Sequence, residues 1–300
     1  MSKGSRVTVG QRIVELTRLD KILWPRDGYT KADLIQYYAE VAPFLLPHLQ
    51  ARPLTVTRYP DGIDGPSFFQ KNAPPHTPNW ISICSTGGKR PTKYVVAESP
   101  ETLMWLANQA CIELHPWLST AGNPGRPDKI VIDLDPDPPA GFAEARRIAL
   151  IVRDVLDGMR VRGYPKLSGA TGVHICIPVV PHHSYRTTSR LAGLIGRILA
   201  RLLPLEVTTE RRVSRRNGRV YVDHLQNLPG KTIVAPYSVR ARDGAPVSMP
   251  VTWEELETCH PLDFTIKTVP DRVRRYGDRF LPVLTDFQDV SAWIRELKQM

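Results

Sequence analysis

The chain of 300 residues is 42% hydrophobic and 23% charged, a balance that is typical of globular proteins and excludes a predominantly disordered one. No apolar stretch approaches the ~20 residues that a membrane-spanning helix needs, and the first residues lack the apolar core of a signal peptide. The four cysteines are widely spaced and form no CxxC pair, so the sequence predicts a cytoplasmic protein without a disulfide framework and without a membrane partner.

The charge is strongly basic. Forty Lys and Arg residues against 30 Asp and Glu residues give a formal net charge of +10, which favours polyanionic partners such as nucleic acids. Residues 211–219, RRVSRRNGR, concentrate five arginines without an acidic residue. This segment is either a solvated loop or a phosphate-facing ribbon, and Arg216 within it is the candidate DNA contact.

Four helices are predicted from capping signals and apolar faces. The first begins at a capping box formed by Thr30 and Asp33. The second begins at Ser99, and its apolar face extends through Ala110 and Leu114. The third and fourth predicted helices span about 141–160 and 187–203.

Five strand-like runs lie between these helices, which predicts an α+β protein rather than a regular alternation of strands and helices. The runs are Leu54–Tyr59, Lys129–Asp135, Val173–Pro178, Val220–His224 and Thr232–Ala235. Neither GxGxxG nor GxxxxGK[ST] occurs, so no Rossmann or P-loop nucleotide site is indicated. The segment 251–300 is predicted to be helical and peripheral, with a capping box at Thr252 and Glu255.

An acidic pair follows the most apolar of the predicted strands. Strand alternation places Asp133 and Asp135 on one face, about 7 Å apart, where they could hold one or two divalent cations. The alternative is that the sequence DPDPP is simply a turn, in which Asp and Pro are common. Asp223 ends another apolar run and could complete a site of three carboxylates.

A glycine loop precedes another predicted strand, in the sequence SGATGVHICIP. Its exposed N–H groups, together with Ser168 and His174, could receive phosphate oxygens. The alternative is a glycine hairpin followed by a strand histidine. Farther along, Lys231 opens a run that leads into the basic residues Arg240 and Arg242.

The order of these motifs is more specific than any one of them. The chain carries, in this order, the apolar strand with Asp133 and Asp135, then SGATGVH (168–174), YVDHLQN (221–227) and APYSVRAR (235–242). This arrangement resembles the archaeo-eukaryotic primase superfamily and, within it, the polymerase domain of bacterial ligase D. The resemblance also covers LTRLDKILWPRDGYTKADLIQYY (17–38), RPLTVTRYPDGIDGPSFFQK (52–71) and ELHPWLS (113–119).

This resemblance implies a primase-like α+β fold, in which mixed or antiparallel sheets are flanked by helices and the metal site lies between the sheets. It implies a DNA-repair polymerase of bacterial non-homologous end joining that fills gaps and extends ends, using nucleoside triphosphates and preferring ribonucleotides. It also implies two Mn²⁺ or Mg²⁺ ions as cofactors. The implied partners are double-strand break ends, gapped or 3′-overhang DNA with a 5′-phosphate, Ku and a DNA ligase.

Residue by residue, the resemblance implies three groups of functional positions. The metal-binding and catalytic acids are Asp133, Asp135 and Asp223. The nucleotide-binding residues are Ser168, His174 and Arg240, together with His115, Gln226 and Lys231. The DNA-binding residues are Lys21 and Lys31 at the 5′-phosphate, and Phe68 and Phe69 at template bases. Arg58 and Arg216 are further candidate DNA contacts.

The predicted organisation is a single primase-polymerase domain over 1–300. An N-terminal helical part (about 1–50) carries the 5′-phosphate contacts, a catalytic core spans about 51–250, and a helical part follows at about 251–300. Two other functions stay open from the residues alone: a two-metal nuclease, which also needs clustered carboxylates, and a non-catalytic module that bridges DNA ends.

Overall fold

Residues 5–10, 12–87 and 90–293 are described by the structure, a computed structural model. The strands of this part are β1 Ser5–Val9, β2 Arg12–Leu16, β3 Ile22–Trp24, β4 Tyr29–Thr30, β5 Leu54–Arg58, β6 Phe68–Gln70, β7 Ile83–Thr86, β8 Thr92–Val95, β9 Cys111–Pro116, β10 Lys129–Pro136, β11 Tyr164–Leu167, β12 Val173–Pro178, β13 Val207–Thr208 and β14 Val220–Val222. The helices are α1 Lys31–Leu49, α2 Pro100–Asn108, α3 Phe142–Gly158, α4 Tyr185–Leu202, α5 Trp253–Thr258, α6 Val269–Tyr276 and α7 Pro282–Thr285. Among these described residues, no helix is both long and apolar enough to cross a lipid bilayer.

The chain forms two compact units, each assembled from separate segments of the sequence. Unit 1 comprises Met1–Trp117, Val234–Ser248 and Leu262–Asp278, and unit 2 comprises Leu118–Ile233, Met249–Pro261 and Arg279–Met300. The division into parts at about residues 50 and 250 stays a prediction. The description of the N-terminal part as helical was wrong for its first half, because β1 to β4 precede α1 there.

Unit 1 is built around β5, which pairs antiparallel with β6, β8 and β9, while β7 extends the sheet from β8. Helix α1 packs against α2 and α6. The predicted capping box is present at the start of α1, where the Thr30 hydroxyl accepts from the Asp33 N–H and the Asp33 carboxylate accepts from the Thr30 N–H. Because these bonds satisfy free N–H groups of the first turn, the start of α1 is fixed locally.

Unit 2 contains a five-stranded sheet in the order β11-β12-β10-β14-β13. All neighbours are antiparallel except β13 and β14, which are parallel. Helices α3 and α4 both pack against β10, and a buried cluster that includes Val131, Cys176 and Tyr185 forms part of the core. The register places Asp133 opposite His174 and Asp135 opposite Tyr221.

The α+β prediction is confirmed, and so are most predicted elements. Strand β12 has the predicted bounds, β5 and β10 differ from theirs by one residue, and α3 and α4 lie at the expected positions. The serine cap of α2 and the capping box of α5 are also present. In the predicted helical segment 251–300, α5, α6 and α7 are helical, and residues 294–300 lie outside the described part.

The predicted end of the second helix was wrong. Helix α2 stops at Asn108, and Ala110 adopts a left-handed φ of 56°, which ends the helix and reverses the chain. Leu114 therefore lies in β9, where it pairs with Val56 of β5. Its apolar character satisfied a helical spacing, but sheet pairing decided the local structure.

Two predicted strands also needed correction. Strand β14 ends at Val222, because the Asp223 carboxylate accepts from the Leu225 N–H and starts a 3₁₀ turn over His224–Asn227. The run Thr232–Ala235 forms no strand. In unit 1, the Ala235 N–H donates one hydrogen bond to the Leu114 carbonyl and does not form part of a β-ladder.

Candidate active site

Three carboxylates lie near one another at the centre of the unit 2 sheet. Asp133 and Asp135 lie two residues apart on β10, and Asp223 directly follows the neighbouring strand β14. The Asp223 N–H donates to the Asp133 carbonyl over 2.9 Å, so strand pairing holds these residues side by side. The structure thus places together the three acids that the sequence indicated separately.

The electrostatics of Asp135 reflect this clustering. Its pKa is raised by burial and by the negative charge of Asp133, with a further contribution from Asp223, although the Arg216 guanidinium acts in the opposite direction. A cation next to the carboxylates would relieve this repulsion. Carboxylate oxygens are hard ligands that suit Mg²⁺ or Mn²⁺, so the donor set fits a divalent-ion site.

Asp223 is held by three donors that flank it in sequence. Its Oδ1 accepts from the Tyr221 hydroxyl over 3.1 Å and from the Leu225 N–H over 2.9 Å, and its Oδ2 accepts from the Gln226 amide over 3.1 Å. Next to it, the buried Asn227 side chain makes two bonds with the backbone of Val131 on β10, which docks this turn on the sheet. Gln226 therefore orients a carboxylate here, and its direct contact with a nucleotide stays a prediction.

Arg216 contacts the acidic site in this structure. Its guanidinium pairs with the Asp135 carboxylate over 3.0 Å and lies 4.0 Å from the centre of the Tyr221 ring. The side chain of Arg216 is only 12% exposed, whereas that of Asp135 is 53% exposed. A DNA contact by Arg216 remains a prediction.

The glycine loop packs directly onto the acidic strand. The Ser168 hydroxyl accepts from the N–H groups of Ala170 and Gly172, which keeps the loop tight. A Cβ atom on Gly172 would lie 2.6 Å from the carbonyl oxygen of Leu134, the residue between Asp133 and Asp135. Glycine is therefore required at position 172 by close approach to β10.

His174 links this loop to the acids through a lysine that sequence reasoning missed. Lys166 on β11 is 1% exposed, and its Nζ lies 2.8 Å from the His174 Nδ1. The His174 Nε2 lies 3.3 Å from the Asp133 Oδ1. Because a lysine ammonium can only donate, we assign Nδ1 as the acceptor, which leaves Nε2 as the ring nitrogen that carries a proton. The sequence feature that could have indicated this role is the presence of a lysine in the otherwise mainly apolar strand YPKL.

In unit 1, a second charged cluster surrounds Glu113 on β9. Its carboxylate accepts from the Arg240 Nε over 2.9 Å and lies 3.1 Å from the His115 Nε2. Burial raises the pKa of Glu113, but the hydrogen bond from His115 and the charges of Arg240 and His115 outweigh it and lower the pKa to about 2. Thr57 on β5 also contacts this pair. Glu113 was not predicted as a site residue, but it binds Arg240 and His115, which were both predicted as nucleotide-binding residues.

We expect Glu113 to make the stability of the protein sensitive to acid. Its pKa falls from an ordinary 4.5 to about 2 on folding, so it contributes stability above pH ~4.5 that is lost as the pH falls towards 2. The linked free energy is on the order of 3 kcal/mol, of which roughly 2 kcal/mol is lost by pH 3. Urea unfolding at pH 7, 5 and 3 should show a smaller loss of stability on acidification for Glu113→Gln than for the wild type. The exposed Glu98→Gln is the control, and equal acid sensitivity of all three proteins would contradict the assignment.

The aromatic pair on β6 lies at the surface. Phe68 is 46% exposed and Phe69 is 65% exposed, so neither ring is part of the core. The Arg58 guanidinium lies 5.4 Å from the Phe68 ring centre, and the Phe69 ring lies 5.7 Å from that of His115. Exposed rings next to basic groups suit stacking with nucleic-acid bases.

Two predicted phosphate contacts lie together near the start of α1. The Lys31 N–H donates to the Lys21 carbonyl, and the Lys21 ammonium pairs with Asp61 over 2.8 Å. Lys31 is only 5% exposed, and its pKa is lowered by burial and by the positive charges of Arg18 and Lys21. Arg18, which sequence reasoning missed, adds a third positive charge to this cluster.

The last of the predicted nucleotide-binding residues, Lys231, lies in unit 2, where its side chain is exposed.

Comparison with known proteins yields consistent matches. The family model described as LigD, primase-polymerase domain, matches residues 30–280. The Bifunctional non-homologous end joining protein LigD of Bacillus subtilis is 38% identical over 290 residues, covering 95% of this chain and 47% of the relative. The Multifunctional non-homologous end joining protein LigD of Mycolicibacterium smegmatis is 35% identical over 278 residues, covering 91% of this chain and 36% of the relative.

A solved structure also matches. The polymerase domain of Mycobacterium tuberculosis ligase D in complex with DNA superposes with a TM-score of 0.85 at 35% identity, covering 92% of this chain and 99% of that one. The fold is therefore that of the archaeo-eukaryotic primases. The chain belongs to the LigD primase-polymerase domain family, and it spans half or less of the length of the two LigD relatives.

Proposed function

We propose that this chain extends DNA primers by template-directed addition of nucleotides during non-homologous end joining, filling gaps and extending ends. The observation that carries the proposal is the gathering of Asp133, Asp135 and Asp223 on neighbouring strands, with His174 directly beside Asp133. These three acids would hold two Mn²⁺ or Mg²⁺ ions. Bound ions of this kind activate a 3′-hydroxyl and neutralise charge on a triphosphate.

The side chains around the acids support binding of a triphosphate. Ser168 and His174 lie at the glycine loop and its strand, where a hydroxyl and an Nε2–H are suitable donors to phosphate oxygens. The family resemblance also assigns nucleotide contacts to Lys231, which is exposed in unit 2, and to Arg240 and His115, which Glu113 holds in unit 1. Gln226 would act on the nucleotide through Asp223, whose carboxylate it orients.

A primer-extension assay tests this proposal against the other two functions. A 5′-labelled primer-template is incubated with MnCl₂, with and without ribonucleotides. A polymerase lengthens the primer only when nucleotides are present. Shortening of the primer would instead indicate a nuclease, and binding without any change in length would indicate an end-bridging module. Either of these results would overturn the proposal.

Ribonucleotide preference is a further part of the proposed activity. Single insertions of UTP and dTTP opposite adenine are expected to give a higher kcat/KM for UTP. The family resemblance is the basis of this prediction. A clear preference for dTTP would contradict it.

The proposed partners are DNA break ends, Ku and a DNA ligase. The net charge of +10 supports DNA binding, and the exposed Phe68 and Phe69, with Arg58 above Phe68, would stack against template bases. The matched Mycobacterium tuberculosis domain is described in complex with DNA. Ku and the ligase are proposed on the family resemblance alone, since the names of the LigD relatives state only a role in non-homologous end joining.

The basic cluster of Arg18, Lys21 and Lys31 is the proposed site for a 5′-phosphate on the far side of a gap. The charges of Arg18 and Lys21 both lower the pKa of Lys31, so the three cations repel one another. A phosphate monoester, with up to two negative charges, would relieve this repulsion. Charge-assisted hydrogen bonds to such an anion are worth about 1.5–3 kcal/mol each.

We expect the double variant Lys21→Met/Lys31→Met to lose recognition of the 5′-phosphate. The wild type should bind a gapped duplex with a 5′-phosphate at least about tenfold more tightly than one with a 5′-hydroxyl. In the variant this ratio should approach one, while extension of an ordinary primer-template persists. Methionine keeps the aliphatic stem of the buried Lys31, and the exposed Lys93→Met serves as the control. If the double variant kept the full preference, the phosphate would have to bind elsewhere, with the arginines of 211–219 as the next candidates.

A further inference from the structure

A second group of metal-binding side chains lies in unit 2, outside the acidic site. His182 and His183 follow β12 in the turn before α4, and Asp289 lies in the segment after α7. Among the described residues, these three each offer a ligand atom, and the atoms lie within 4.8 Å of one another. The two imidazole rings have centroids 4.0 Å apart, so both point to the same side of the turn.

The spacing of these atoms suits a shared ion better than direct hydrogen bonds. The Asp289 Oδ1 lies 3.6 Å from the His182 Nε2 and 3.8 Å from the His183 Nε2. Both distances exceed the 2.7–3.2 Å of ordinary N–H···O bonds, and the other polar contact of the His183 Nε2, with the Ser291 hydroxyl, is also long at 3.4 Å. They are close to the roughly 3.4 Å that separates two ligands at 2.0–2.1 Å around a tetrahedral zinc ion.

Neighbouring bonds hold the ligands in place. The Ser291 N–H donates to the Asp289 Oδ1 over 2.8 Å, and the Arg126 guanidinium donates to the His182 carbonyl over 2.7 Å. The backbone of Gln288 bonds to Pro178 and Val180, so the segment bearing Asp289 runs beside the end of β12. A ligating carboxylate oriented by a second bond is a usual feature of metal sites.

We propose that His182, His183 and Asp289 bind one divalent transition-metal ion of the zinc class. Two imidazoles and a carboxylate favour such ions over Mg²⁺, which prefers oxygen ligands alone. Three protein ligands leave a fourth position for water or another small ligand.

This site is separate from the three carboxylates. Strand β12 ends at Pro178, which lies opposite Lys129, four residues before Asp133 along β10. Four residues of a strand span roughly 13 Å, so one ion cannot serve both groups. The ion would instead tie the turn after β12 to the segment after α7, and it would stabilise unit 2 without entering the nucleotidyl-transfer reaction.

Zinc titration of a protein that lacks two of the three acids tests the proposal. Asp133→Ala/Asp135→Ala removes background binding at the carboxylates, and isothermal calorimetry with ZnCl₂ then reports the remaining site. We expect one equivalent of Zn²⁺ to bind, and adding His183→Ala or Asp289→Asn to weaken this binding at least about tenfold. His76→Ala, which removes an exposed histidine of unit 1, is the matched control and should leave the affinity unchanged.

Thermal unfolding gives an independent readout. One equivalent of Zn²⁺ should raise the Tm of the parent protein and of the His76→Ala control but not that of the His183→Ala or Asp289→Asn proteins. The metal-free Tm of each variant shows whether it folds. The proposal would be overturned if the parent protein bound no stoichiometric Zn²⁺. It would also be overturned if the His183→Ala and Asp289→Asn proteins bound Zn²⁺ as tightly as the parent protein does.

Discussion

Replacing Asp133 by asparagine is expected to reduce primer extension at least about a thousandfold while leaving DNA binding within about twofold of the wild type. The substitution keeps the shape of the side chain but removes a charge from the three-carboxylate site. Loss of several kcal/mol of transition-state stabilisation corresponds to a fall of this size. Single-nucleotide insertion under saturating MnCl₂ measures the rate, and fluorescence anisotropy with a gapped duplex measures binding.

Asp137→Asn is the matched control for this prediction. Asp137 belongs to the same acidic sequence, but its carboxylate accepts from the Gly218 N–H over 3.2 Å, as expected for a turn residue. Extension by Asp137→Asn should stay within a few-fold of the wild type. Undiminished extension by Asp133→Asn, or an equal loss in both variants, would contradict the assignment of the acids.

Replacing the buried Lys166 by methionine is expected to lower kcat/KM for the nucleotide at least about tenfold. Methionine keeps a similar volume but cannot donate to the His174 Nδ1, so the proton on Nε2, which faces Asp133, is no longer fixed. Lys166 acts as a positioning residue, and the loss of such an orienting bond typically costs 10–100-fold.

The control and readout for Lys166 must separate positioning from stability. Lys129→Met removes another buried lysine from the same sheet, one that pairs with Asp128, and should leave kcat/KM nearly unchanged. The ring-nitrogen chemical shifts of His174 in ¹⁵N NMR report the tautomer directly. A loss of activity in Lys166→Met with an unchanged tautomer would contradict the positioning role.

The elements that depend on local patterns could be predicted from the sequence. The alternation of β10 placed Asp133 and Asp135 on one face, and the capping box at Thr30 fixed the start of α1, because both patterns act over a few neighbouring residues. The second helix was extended too far since Leu114 satisfied a helical spacing that pairing with β5 overrode.

The residues that support the site could not be predicted, because their partners are distant in the sequence. Glu113 meets Arg240, 127 residues away, and the Asn227 amide meets the backbone of Val131, 96 residues away. Lys166 lies only eight residues from His174, but its role requires the antiparallel pairing of β11 and β12 across the glycine loop. None of these contacts follows from periodicity or composition.

The contact between Gly172 and the Leu134 carbonyl has a consequence for how substrate binding is organised. Because no side chain fits between them, the loop that would receive the triphosphate lies against the backbone of Leu134, the residue between the two acids of β10. The loop and the acids are therefore parts of one rigid frame, unlike a flexible lid that must become ordered around its ligand. Nucleotide binding would then avoid much of the entropic cost of ordering a loop, and a displacement of either part would be transmitted to the other.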